Sequence, residues 1–139
     1  MTDSFNHFDE VAQQLHDALG DVVAKTAFDI EALAASIAPV DTGFLKNTIY
    51  TRTYTSTDYK GGGRVSKKAK ASGSYALPSV PSPPDPFTAY VGVGANYGIY
   101  VEMGTVHQPA QPYLAPATQA CEGSFEQAVA AIESKLRSI

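Results

Sequence analysis

Apolar residues recur along the first part of the chain at the spacing of one helix face. From residue 8 to residue 37 they stand three to five positions apart, at Phe8, Val11, Leu15, Leu19, Val22, Ala27, Ile30, Leu33 and Ile37. This spacing forms an apolar stripe on a helix. Pro39 ends the pattern, because proline lacks a backbone donor and disfavours helical geometry at the preceding residue. We therefore predict a helix over residues 8–37.

Two later segments have the pattern of β-strands. Residues 49–55 are all β-branched or aromatic except Arg52, and residues 87–93 alternate Phe, Ala, Val and Val with Thr, Tyr and Gly. Such composition and alternation are typical of strands. We expect strands over 49–55 and 87–93, paired antiparallel as a hairpin with a very long connection.

The last third of the chain contains a second amphipathic pattern. Apolar residues three or four apart, from Phe125 to Leu136, predict a helix over residues 117–137 beside the first helix. Pro109, Pro112 and Pro116 are expected to keep the preceding stretch extended, and residues 97–103 fit either a helical turn or a third strand. The predicted fold is α+β, with a long N-terminal helix, a small mainly antiparallel sheet with a long hairpin loop, and a C-terminal helix packed on the sheet.

The connection between the strands, residues 56–86, differs in composition from the rest. It holds Gly61–Gly63, five prolines, and five of the ten basic residues, namely Lys60, Arg64, Lys67, Lys68 and Lys70. Its only acidic residues are Asp58 and Asp85, so its net charge is +3. Because the net charge of the whole chain is −4, the rest of the chain has a net charge of −7. Long loops of this kind are usually functional or disordered until bound. We interpret it as a partner-binding arm, mobile in the free subunit and ordered in an assembly, whose lysines contact a protein partner or DNA.

The bulk properties indicate one small domain, spanning residues 1–139, in a reducing compartment. At 139 residues and 44% hydrophobic composition the chain can form a single core. Its one cysteine, Cys121, cannot form an intramolecular disulfide. No charge-free apolar stretch reaches the ~20 residues that span a bilayer, and the start lacks the pattern of a signal peptide. We expect no membrane association and residence in the cytoplasm.

The tripeptide Asp41-Thr42-Gly43 has an enzymatic association, because retroviral-type aspartic peptidases present a catalytic aspartate in such a turn. That motif normally follows a buried strand, whereas here it follows a long helix and Pro39. The tripeptide is better interpreted as a corner in which Asp41 accepts backbone N–H groups and Gly43 relieves steric restriction. Leu45 and Ile49, four residues apart, then enter the core.

The remaining chemistry-bearing residues do not form a recognisable site. His7, His16, His107 and Cys121 have no metal-ligand spacing. Glu102 is a lone carboxylate between apolar neighbours, better interpreted as a salt-bridge partner than as an acid catalyst. The Gly61–Gly63 run lacks the ending of a phosphate-binding loop and is better interpreted as a hinge. We predict no catalytic residue, no cofactor and no metal.

Three sequence blocks, taken in order, resemble the "gp-ten-like" tail-component family of long-tailed phages. The resemblance extends over about residues 8–137. A leading helix ends in Pro39, Val40, Asp41, Thr42, Gly43, Leu45, Lys46 and Ile49, matching the family's Pro-Val-Asp-Thr-Gly-x-Leu-basic-x-Ser-Ile pattern. A second block comprises Tyr97, Tyr100, Val101, Glu102, Met103, Gly104 and Thr105. A third comprises Pro109, Ala110, Gln111, Pro112, Tyr113, Leu114, Pro116 and Ala117. The connection at 56–86 is longer than the family's usual loop, and Met103 replaces an aromatic residue.

The resemblance implies a non-enzymatic virion protein of the head-to-tail neck or tail-completion region. Such proteins act as homo-oligomeric rings around the DNA channel, with six-fold symmetry as our first expectation. They adjoin other neck and tail proteins such as the head-closure, tail-terminator and tail-tube proteins. A tail terminator capping the tail tube is the nearest alternative, and a DNA-binding module built on the lysines is a third. Structural or interface candidates are Asp41, Thr42, Gly43, Glu102, Gly104, Gln108, Pro109, Gln111, Pro112 and Tyr113.

Overall fold

The structure, a computed structural model, describes residues 2–40, 43–60 and 73–138. Its elements in chain order are helix α1 (Thr2–Ile37), the short helix α2 (Phe44–Asn47), strand β1 (Ile49–Arg52), strand β2 (Tyr90–Val93), helix α3 (Gly98–Met103) and helix α4 (Leu114–Arg137). The α+β class is therefore confirmed. A long helix comes first, a two-stranded antiparallel sheet follows, and a long helix closes the chain.

Helix α1 covers the whole predicted range and begins earlier, at Thr2. Its C-terminal half enters the core, where Ala34 of α1 and Ala117 of α4 are both fully buried in the same apolar cluster. Helix α4 is the main packing partner of α1. The apolar stripe is not covered at its ends, since Phe8 is 77% exposed and Ile37 is 41% exposed.

The sheet has the predicted pairing but shorter strands. Ile49 lies opposite Val93 and Arg52 opposite Tyr90 in an antiparallel register. Strand β1 ends because the Thr53 N–H donates to the Ser56 carbonyl at 2.8 Å, which turns the chain. The approach to β2 is also a turn, in which Asp85 Oδ1 accepts the Phe87 N–H at 2.9 Å. The strand predictions for residues 53–55 and 87–89 are therefore wrong.

The proline-containing stretch before α4 also differs from the prediction. The helix begins at Leu114, so Pro116 lies in its first turn and is not extended. Proline is tolerated there because first-turn N–H groups have no acceptor within the helix. Residues 98–103 are helical, which settles the choice that the sequence leaves open.

Both described ends of the long connection are attached to the sheet. The Leu77 N–H donates to the Gly94 carbonyl at 2.6 Å, and the Asn96 N–H donates to the Tyr75 carbonyl at 3.0 Å. The ring of Tyr59 packs on Tyr50, with centroids 4.5 Å apart. The predicted hinge at Gly61–Gly63 lies outside the described residues. Within the described part of the chain, no helix is long and apolar enough to cross a membrane.

Candidate functional site

The three sequence blocks meet around one cleft of about 410 Å³. Three of its lining residues belong to the first block, three to the second and three to the third or its flank, namely Pro39, Gly43 and Leu45; Tyr97, Tyr100 and Val101; Gln108, Pro109 and Gln111. Segments far apart in sequence thus form a single structural unit. The contacts within that unit show the structural role of the main residues of the three blocks.

Glu102 caps the N-terminus of α4. Its Oε2 accepts the N–H groups of Tyr113 at 2.7 Å and Leu114 at 2.9 Å, and its Oε1 accepts the N–H of Ala115 at 3.0 Å. Burial alone would raise the pKa of Glu102, but the three backbone hydrogen bonds outweigh it and lower the pKa below its ordinary value. The carboxylate also faces the positive end of the α4 dipole. Glu102 is therefore a structural anion, and its interpretation as a salt-bridge partner is wrong.

Gly104 lets the second and third blocks approach backbone to backbone. Its φ of +79° lies in the region that favours glycine, and a Cβ atom there would stand 2.7 Å from the Ala110 nitrogen. On one side of this contact the Gln111 N–H donates to the Val101 carbonyl at 2.8 Å. On the other the Thr105 N–H donates to the Gln108 carbonyl at 2.9 Å, closing a turn. The backbone of residues 105–111 is thereby fixed.

Tyr113 completes this unit from inside the core. Its side chain is fully buried, and its hydroxyl donates to the Gly98 carbonyl at 2.9 Å. Burial, with the nearby Glu102 carboxylate and Tyr97, raises the pKa of Tyr113 far above its ordinary value. Tyr113 was a candidate for a structural or interface role. It lies in the interior, so its role is structural.

Other candidates from the third block are on the surface, next to a patch that the sequence analysis missed. Gln108, Pro109, Gln111 and Pro112 are exposed. Beside them lies what we name the α3 face, formed by the exposed apolar side chains of Ile99 (65%), Tyr100 (61%), Met103 (74%) and Val106 (96%). The spacing of Ile99 and Met103, four residues apart, would have revealed this face had the segment been assigned as a helix. An apolar patch beside a fixed polar and proline-rich rim is suited to a protein contact.

The first block is a corner, as expected for the part that the structure describes. Gly43 has φ +78° at the start of α2, and its carbonyl accepts the Asn47 N–H at 3.0 Å. Leu45 and Ile49 are buried in the core, which confirms their predicted role. Asp41 and Thr42 lie outside the described residues, so the predicted hydrogen bonds of Asp41 stay a prediction.

The sequence analysis also missed a pair of carboxyl groups outside the cleft. Glu31 of α1 is hydrogen-bonded to Asp58, which also accepts the Thr51 N–H at 2.8 Å. Burial, followed by the hydrogen bond and charge of Asp58, raises the pKa of Glu31 to about 8. Glu31 and Asp58 are 27 residues apart in sequence, so no local pattern indicates their contact. Across the described ranges, no group of three or more His, Cys, Asp or Glu side chains is placed to hold a metal ion.

The basic candidates are only partly described. Lys60 is exposed at the edge of the described segment. Arg64, Lys67, Lys68 and Lys70 lie outside the described residues. Their contact with DNA or a protein partner therefore stays a prediction from charge alone.

Comparison with known proteins identifies a family. A family model described as "Bacteriophage HK97-gp10, putative tail-component" matches residues 6–104. The match covers nearly all of α1, the first block, both strands and the second block as far as Gly104. The third block lies beyond its end. No curated protein and no solved structure matches the chain.

Proposed function

Because the chain belongs to the HK97-gp10-like family of phage tail components, we propose that it is a non-enzymatic subunit of the head-to-tail neck or tail-completion region. In this proposal the subunits form a homo-oligomeric ring, with six-fold symmetry as the first expectation. The ring surrounds the DNA channel and connects the capsid to the tail at the head-tail junction of the virion. Its neighbours are the head-closure, tail-terminator and tail-tube proteins.

The observation that carries the proposal is the exposed, apolar α3 face together with the hydrogen-bonded backbone beside it. Four large apolar side chains there are at least 60% exposed. The adjoining segment, residues 105–111, is held by backbone hydrogen bonds on both sides of Gly104. A surface that is already ordered before binding loses little conformational entropy on association. This is the arrangement expected of a subunit that assembles as a preformed body.

Ring assembly by identical subunits in head-to-tail contact requires two different faces on each subunit. The α3 face with Gln108–Pro112 supplies one of them in this proposal. The exposed apolar side chains would be buried against the next copy, where desolvated apolar and aromatic groups contribute most of the binding energy. The second face is considered in the next section.

The proposal is tested by a charge placed on the α3 face. Met103→Glu should abolish or strongly weaken the oligomer, measured by sedimentation velocity or native mass spectrometry, because a carboxylate would have to be desolvated at the contact. Phe8→Glu, at a position of α1 that is 77% exposed and lies outside the α3 face, is the matched control and should assemble as the wild type does. A wild-type chain that stays monomeric at all accessible concentrations, or a Met103→Glu variant that assembles normally, would contradict the proposal.

The tail terminator is the nearest alternative, since it is also a small ring-forming virion protein. The two roles differ in position and not in subunit chemistry. A particle reconstruction separates them, because a terminator caps the tail tube, whereas the proposed subunit lies between the capsid connector and the tail.

A further inference from the structure

Strand β2 has one edge that no part of the described chain covers. The Gly94 N–H donates to the Thr48 carbonyl at 2.9 Å, which fixes the alternation of the antiparallel ladder. By that alternation Val91 and Val93 point their N–H and C=O groups away from β1. None of these four groups has a hydrogen-bond partner among residues 2–40, 43–60 and 73–138. An open edge of this kind is a template for a further strand.

The outward groups at Thr51 on the opposite edge of the sheet are occupied by the turn after β1. On β1 the Thr51 N–H donates to Asp58 Oδ1 at 2.8 Å, and the Thr51 carbonyl accepts the Thr57 hydroxyl at 3.1 Å. The turn after β1 therefore obstructs pairing at Thr51, whereas no such turn covers Val91 and Val93 in the described ranges.

An apolar groove of about 340 Å³, which we name the β2 groove, meets strand β2 at Val91, one of the two residues of the open edge. Its walls come from α1, from α4 and from residues 87–91, including Ile30, Val91, Cys121 and Phe125. In a strand, alternate side chains point to the same face. A strand added to β2 would therefore direct every second side chain toward this groove, as in the known binding of extended peptides to sheet edges.

The charged residues that line the groove and the cleft beside it are acidic; Lys25 lies near Cys121 but lines neither cavity and is paired with Asp29. Glu122 lines the β2 groove itself. An adjoining cleft, which shares Val23, Thr88 and Ala89 with it, is lined by Asp17 and Asp21. No lysine or arginine lines either cavity within the described part of the chain. An extended partner that carries basic and apolar residues would match this lining.

We infer that the β2 groove is the second face of the ring, occupied by the basic segment of a second copy of this chain. Residues 56–86 carry +3 while the remainder carries −7, so the charge of this segment complements that of the groove. Its sequence Arg64-Val65-Ser66-Lys67-Lys68 places an apolar residue among basic ones. The inference deepens the proposed function, since it rests on ring assembly and names the contact that propagates it.

Cross-linking tests the inference, because the chain's only cysteine, Cys121, lines the β2 groove. A disulfide requires Cα atoms within about 7 Å of each other. Cysteine is introduced at Ser66 or at Ala69 in turn in the full-length chain, and the purified protein is oxidised mildly. If the segment of each copy occupies the groove of the next, denaturing gels without reductant show a ladder of covalent multimers that collapses on reduction. Ser66→Cys combined with Cys121→Ser is the control and should give no ladder beyond dimers.

The other outcomes overturn the inference. A disulfide that leaves the chain monomeric means that the segment folds onto its own groove. If both variants keep free thiols while the wild type still assembles, the ring uses a different surface as its second face. That result leaves the proposed function intact. A wild type that does not assemble at all contradicts the proposed function itself.

A pair of substitutions tests the backbone contact separately. Val91→Pro removes the outward N–H without removing a β1–β2 hydrogen bond, because Val91 points away from β1. Val91→Ala loses the same side-chain packing but keeps the N–H. We expect the proline variant to lose the oligomer and the alanine variant to keep it, with circular dichroism verifying that both are folded. Equal assembly of two folded variants would contradict pairing at this edge.

Discussion

At the scale of single residues, Glu102 joins the second and third blocks through its cap on α4. A carboxylate that accepts three backbone N–H groups satisfies donors that the first turn of a helix leaves free. Capping contacts of this kind contribute about 1–2 kcal/mol to stability. The sequence shows a lone carboxylate in an apolar segment and gives no sign of this role, because the capped helix begins twelve residues later.

Glu102→Gln should therefore reduce the free energy of unfolding by about 1–2 kcal/mol at pH 7. The amide keeps one acceptor oxygen but places a donor against a backbone donor. Urea denaturation measures the difference, and Glu126→Gln, at an exposed position of α4, is the matched control with a change within about 0.5 kcal/mol. Because the folded-state pKa of Glu102 is lowered, its contribution is present above pH 4.5 and is lost as the pH falls through the folded pKa. An equal effect of the substitution at pH 7 and at strongly acidic pH would contradict the cap.

Two glycines give a matched test of the backbone contact at Gly104. Gly104→Ala should destabilise the fold by about 1–3 kcal/mol, because its φ is +79° and the new Cβ would meet the Ala110 backbone. Gly123→Ala, inside α4 with no atom within 4 Å of a new Cβ, should stabilise it by about 0.5–1 kcal/mol. Thermal unfolding of both variants measures the sign of each change. A neutral Gly104→Ala variant would show that the second and third blocks are not held together at this point.

At the scale of elements, the carboxyl pair of Glu31 and Asp58 joins α1 to the turn after β1. The raised pKa of Glu31, about 8, means that the folded state holds a proton that the unfolded state releases near pH 4.5. The stabilising contribution of the shared proton is therefore complete below pH 4.5 and is lost as the pH rises through about 8.

Glu31→Gln should flatten this pH dependence. We expect the variant to equal or exceed the wild type in unfolding midpoint at pH 8 and above, with a smaller loss of stability between pH 5 and pH 8. Chemical denaturation across that range measures it. Glu10→Gln, at an exposed position of the same helix, should leave the wild-type profile unchanged. A Glu31→Gln profile parallel to that of the wild type would contradict the shared proton.

The elements themselves were predictable where the apolar pattern is long. Both long helices and the antiparallel pairing follow from spacing, because the pattern reports which face is buried. The ends of the strands did not follow, since Thr53 and Asp85 end them by local hydrogen bonds that compete with strand pairing. The carboxyl pair and the cap by Glu102 depend on tertiary contacts between distant segments. The ordering of residues 56–86 on assembly stays a prediction. Within that range, Tyr75 and Leu77 are already attached by backbone hydrogen bonds to residues at the end of β2.

At the scale of the whole molecule, two unlike surfaces remain uncovered by the described chain. One is the α3 face, apolar and rigidly supported, and the other is the β2 groove with its open strand edge and acidic rim. A subunit with two unlike faces forms head-to-tail contacts, which close into a ring when the rotation between copies permits. In the proposed ring the uneven charge of the chain gives these contacts a direction, since the basic segment of one copy is attracted to the acidic body of the next.

A reconstruction of the intact particle at the head-tail junction tests the central claim most directly. The account predicts that this chain forms a closed ring between the capsid connector and the tail, with its copies in identical head-to-tail contact around the DNA channel. Finding the chain outside the junction, or at the junction as isolated copies without contact to one another, would contradict it.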